Sequence, residues 1–174
     1  CSFTISAGPH SIRIGYRLDG NKLIATVTCG ASPGCKGWIA LGILPQAGQP
    51  TGGTAIVGWL DGWASPHFVG KYHLNGNAQA PNLMHYKKQS LHDTYIYRKD
   101  GKVIMSFVAT LGAEGHFPTT PLSYTHLMAA AGAYTSLVPF PGKDVGFVTG
   151  DLLMGKAAPS SPSPPPLPPP LPDR

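Results

Sequence analysis

Seven consecutive residues, Gly37-Trp38-Ile39-Ala40-Leu41-Gly42-Ile43, carry no charge and almost no polar side-chain atom. A run this short, bulky and apolar, with glycine at its start and near its end, predicts a strand buried on both faces rather than a helix. Those glycines also admit close approach by another backbone or a ligand. A chain containing such a strand has to supply neighbours that cover it, and the remaining sequence is read for them.

Residues 3–6 and 11–18 alternate loosely, with Ile12, Ile14, Tyr16 and Leu18 apolar, and stop at the turn Asp19-Gly20-Asn21. Leu23 to Thr28 is short and β-branched, so the two segments predict a hairpin. Ala55 to Leu60 reads as a second buried strand, and Phe68 to Leu74 as a third that ends at Asn75-Gly76. Asn77 to Gln89 reads as irregular or as a short helical turn. Thr94 to Arg98 and Lys102 to Val108, joined through Lys99-Asp100-Gly101, form the clearest hairpin of the chain. In Tyr124 to Ala133 the stretch Leu127-Met128-Ala129-Ala130-Ala131 lets a helix compete, but ten residues that run out at Gly132 favour a strand. Val145 to Leu153 supplies a closing strand. Eight to ten short strands with glycine turns predict an all-β antiparallel sandwich or barrel.

The order of these pieces carries a resemblance. A β-rich segment ending in Cys29, a turn to Cys35, the apolar run, a glycine-containing loop and then Ala55-Ile56-Val57-Gly58-Trp59 together resemble the DOMON family. These are extracellular β-sandwich domains related to the cytochrome domain of cellobiose dehydrogenase and the N-terminal domain of dopamine β-monooxygenase. The resemblance covers about residues 1–155 and implies an immunoglobulin-like antiparallel β-sandwich. Haem-binding members hold iron with a Met in the loop after the apolar strand and a His near the C-terminal end, a pair suited to electron transfer. Here the loop Leu44 to Thr54 has no Met, with Pro50 or Thr51 in its place, and Lys143 stands nearest the expected His. The resemblance is therefore to a haem-less member, with no cofactor expected. Haem b enters only as an alternative, through His126 and an unconventional partner.

Composition changes at Ala157, which divides the chain into a sandwich domain, 1–156, and a Pro/Ser-rich tail, 157–174. From Pro159 onward the tail holds nine of the nineteen prolines and predicts polyproline II, a semi-rigid rod with a solvated backbone. Its Ser-Pro and Pro-Pro repeats resemble the hydroxyproline-rich glycoproteins of green algae and plants. That resemblance implies O-linked sugar on Pro162, Ser163, Pro164, Pro165, Pro166, Pro168, Pro169 and Pro170.

Three cysteines bear on the compartment. Cys29 and Cys35 flank a five-residue turn and can close a small disulfide loop, which leaves Cys1 for an intermolecular bridge or a free thiol; pairing of Cys1 with either of the others stays open. The start at Cys1 suits a mature N-terminus left by signal cleavage. Three thiols without a nearby His pattern match a structural zinc site poorly, and no metal is expected. Charged residues make up 12% of the chain, about half the usual share, which suits a secreted or cell-surface protein. The net charge of +5 is scattered, so nucleic acid is not expected as a partner, and no apolar run is long enough to span a membrane.

Most of the acids fall in turns, where Asp is expected for backbone reasons, so no catalytic residues are expected. Trp38 and Trp59 read as core. Trp63 and Tyr72, Tyr95 and Tyr97 are the candidate ligand surface, and Tyr16 joins the tyrosines as a candidate lining for a proline-binding groove. The function expected is that of a non-catalytic extracellular glycoprotein module in cell-surface or matrix assembly. Its partners would be copies of itself or other extracellular glycoproteins, with carbohydrate as a further ligand.

Overall fold

A computed structural model describes residues 1–30, 35, 37–46, 48–49, 51–60, 68–74, 82–83, 89–112, 125–132, 145–151 and 156–157. The described residues form twelve strands and no helix. The chain order is β1 (Ser2–Ala7), β2 (His10–Asp19), β3 (Lys22–Cys29), β4 (Trp38–Leu44), β5 (Thr54–Trp59) and β6 (Phe68–His73). It continues with β7 (Asn82–Leu83), β8 (Leu91–Lys99), β9 (Lys102–Thr110), β10 (Thr125–Gly132), β11 (Val145–Asp151) and β12 (Lys156–Ala157). They make two antiparallel sheets, one of five strands in the order β1-β2-β3-β9-β8 and one of seven in the order β12-β11-β10-β4-β5-β6-β7.

The apolar run becomes β4, and all seven of its residues are buried. It lies inside the larger sheet, with β10 on one side and β5 on the other. Alternate residues of β4 belong to two different apolar clusters. Ile39, Leu41 and Ile43 face the five-stranded sheet and pack with Ile14, Val27, Met105, Phe107 and Leu127. Trp38, Ala40 and Leu44 point the other way, where they join Ala55, Val57, Tyr72, Leu74, Met128 and Ala130. A strand with apolar cover on both faces has no solvated side, which is why its sequence reads as continuous rather than alternating.

The five-stranded sheet shows the complementary pattern. In β9 every second residue, from Val103 to Ala109, is buried and the intervening ones are not. The inner face therefore enters the core and the outer face meets solvent. Between the sheets, a gap of about 10 Å³ lined by Phe3, Ile14, Tyr16, Leu41 and Ile43 holds at most one water, so that part of the core is filled.

The segment in which helix and strand compete is a strand. Its backbone pairs with β4 from His126 to Gly132 and with β11 from Thr125 to Ala130, a two-sided ladder that overrides the helical propensity of the alanines. Within the segment expected to be irregular, Asn82 and Leu83 pair with Tyr72 and His73.

Candidate functional site

Alternation assigns each side chain of the five-stranded sheet to a face. On β8, Ile96 turns inward and is 4% exposed, while Tyr95 and Tyr97 on either side turn outward and are 60% and 44% exposed. The register carries these rings into rows. Tyr97 stands opposite Ile104, which is followed across the sheet by Thr28, Arg13 and Thr4. Tyr95 stands opposite Ser106, followed by Thr26, Gly15 and Ser2. Within the second row the Thr26 and Ser106 hydroxyls lie 3.0 Å apart in a hydrogen bond. Strands sit about 4.8 Å apart, so Tyr97 and Arg13 are separated by roughly 14 Å of open sheet. A register irregularity between His92 and Tyr95, with Asp93 at a φ of 48°, bends the start of β8. Such bulges re-aim side chains at sheet edges.

Of the four residues expected to form a ligand surface, the structure keeps these two on the outside and moves one inside. Tyr72 is 6% exposed, because its strand parity puts it in the second apolar cluster. There its hydroxyl accepts a 3.3 Å hydrogen bond from Trp59 Nε1, and Trp59 in turn stacks at a tilt on Trp38. Burial raises the Tyr72 hydroxyl above its ordinary pKa of 10.0, against a smaller lowering by the Trp59 bond. Tyr16 is likewise not a groove residue. It is 7% exposed, and its ring meets Phe3 edge-on at 5.8 Å in the inter-sheet core. Trp63 and the tail positions 158–174 lie outside the described residues.

Cys29 and Cys35 form the disulfide, with Cα atoms 6.1 Å apart, and Cys1 is a free, exposed cysteine. Buried beside the bridge is His10, whose imidazole lies within 4.8 Å of both sulfurs. Eighteen residues lie between His10 and Cys29 in sequence, and only the antiparallel pairing of β2 with β3 brings them together. With the two sulfurs bonded to each other, the cluster offers a single nitrogen donor and makes no metal site. His126 shares its parity on β10 with Met128 and Ala130, so it belongs to the outer face of the seven-stranded sheet rather than to the inter-sheet core.

A second polar feature is absent from the sequence reading. Lys71 is fully buried, on the inner face of β6 between the sheets. Its ammonium donates to Ser90 Oγ at 3.0 Å. The Gln89 side chain clasps its backbone, accepting from Lys71 N–H at 2.7 Å and donating to the Lys71 carbonyl at 3.2 Å. Burial lowers the Lys71 pKa from 10.5 to about 8. A buried amine without access to solvent anchors β6 to the approach of β8, and nothing in the polar parity of Phe68 to His73 marks it in advance.

No protein-family model matches the chain, and no curated protein matches it. The residues themselves therefore carry the functional argument. Among the described residues, the best-defined exposed face is that of the five-stranded sheet.

Proposed function

We propose that the chain is an extracellular, non-catalytic association module of DOMON type. It assembles at a cell surface or in a matrix through the outer face of its five-stranded sheet and its proline-rich tail. The observation that carries this reading is the exposed pair Tyr95 and Tyr97, two residues apart on the edge strand β8. Large aromatic rings exposed side by side are unusual on a surface with no partner, and tyrosine supplies contact area at low entropic cost. Aromatic surfaces accept proline-rich segments well, because polyproline II is extended before it binds. In this reading the tail of one copy, from Pro159 onward, lies on the tyrosines of another.

Sedimentation equilibrium tests it. The full chain is expected to self-associate, and removal of residues 159–174 or the double change Tyr95→Ser/Tyr97→Ser is expected to leave monomers. Unchanged association in both variants sinks the proposal.

A further inference from the structure

The outer face of the five-stranded sheet carries more than tyrosines. Arg13 and Arg17 of β2 project from it, as do Lys22 of β3 and the directly paired Lys99 and Lys102 of the β8–β9 hairpin, and all five are exposed. Among the described residues, Asp19 opposite Lys22 is the acid that shares this parity, with Asp100 at the hairpin tip and Asp93 in the bulge at its margins. We propose that this face is a binding site for an anionic polysaccharide, one bearing sulfate or carboxylate groups along its chain. The inference deepens the association reading by naming the chemistry of a partner, and it rests on that reading only for the use of this face.

Three features select the ligand class. The cations are spread out: Arg17 and Lys102 lie two strands and three outward-facing positions apart, roughly 20 Å at ordinary sheet spacings. One small anion cannot reach them all, whereas a polymer with repeated charges can. Between the cations the sheet offers hydroxyls, Thr4, Thr26, Thr28 and Ser106, which both donate and accept hydrogen bonds as sugar hydroxyls do. Tyr95 and Tyr97 border that surface and present ring faces for the apolar side of a sugar. The hydroxyl-rich centre of the face favours a saccharide over a nucleic acid.

Isothermal titration of the full chain against dextran sulfate, polygalacturonate, uncharged dextran and single-stranded DNA tests the inference. Binding is expected for one or both anionic polysaccharides and not for uncharged dextran, weakening as salt rises. The pairs Arg13→Gln/Arg17→Gln and Lys99→Gln/Lys102→Gln should each cut affinity about tenfold or more. Arg98→Gln, whose parity on β8 points away from this face, should change it far less. No binding to either polyanion, equal loss in Arg98→Gln, or single-stranded DNA bound as tightly as the polysaccharides would overturn the inference. The two readings separate in one set of variants. Polyanion binding that survives removal of residues 159–174, together with unchanged self-association, rejects tail-mediated assembly and supports the glycan site. Self-association that requires residues 159–174, together with no binding of either polyanion by the full chain, does the reverse.

Discussion

At the scale of single residues, the fold depends on side chains that sequence position alone does not explain. Gly132 closes β10 opposite Trp38, and a Cβ there would land on the indole ring, which cannot move because it is packed among Ala40, Val57 and Trp59. Gly58 is also crowded, but its added Cβ would meet the Ile96 Cδ1 at 2.7 Å and the Met105 Sδ at 2.8 Å, the far ends of flexible chains. Gly132→Ala is therefore expected to cost about 3 kcal/mol and Gly58→Ala about 1 kcal/mol. Urea midpoints in the opposite order would reject this account. Lys71 gives a pH prediction. The unfolded amine has its ordinary pKa of 10.5 and the folded one about 8. Below about pH 8 both states are charged and the folded state bears the whole cost of burying the ammonium. Above it the unfolded state binds more protons, so stability rises with pH until both are neutral. Stability of the parent relative to Lys71→Met is expected to increase between about pH 7 and pH 10, read from paired denaturation curves. A constant difference rules out a titrating Lys71.

At the scale of elements, most of the strands were legible because each obeys a local rule. The hairpin of β8 and β9 is the clearest case. Asp100 and Gly101 have φ values of 50° and 72°, the two positive angles of a type I′ turn, and Asp-Gly is the dipeptide that tolerates them. Gly101→Val places a β-branched residue in the left-handed region and is expected to cost about 1–2 kcal/mol in a urea titration. No loss would mean that the turn relaxes to another type. Strand identity was thus written in turn chemistry and alternation, but the faces of β6 were not. Phe68 to His73 has no consistent polar parity, so neither the inward Lys71 nor the buried Tyr72 was readable. Both are fixed by what the neighbouring strands place opposite them, Ile56 and Ala55 respectively.

At the scale of the whole molecule, the non-local pairings are what the sequence could not show. β3 finds β9 rather than the β4 that follows it, because the chain leaves one sheet and enters the other between Cys29 and Trp38. The hydrophobic pattern says that a strand is buried but not which partner buries it. The crossing itself is where the disulfide sits, joining the last residue of β3 in one sheet to Cys35 just ahead of β4 in the other. Both sulfurs lie in the same apolar cluster that unites strands from the two sheets, so the bridge reinforces a core that is already shared. Its loop is short, and closing a short loop removes little entropy from the unfolded chain, so Cys29→Ala/Cys35→Ala should lose only about 2–3 kcal/mol. Because one core serves both sheets, the variant should still unfold in a single transition, with circular dichroism and tryptophan fluorescence coinciding. Two separated transitions would mean that the sheets hold independent cores and that the bridge, rather than the packing of β4 against the five-stranded sheet, keeps them together.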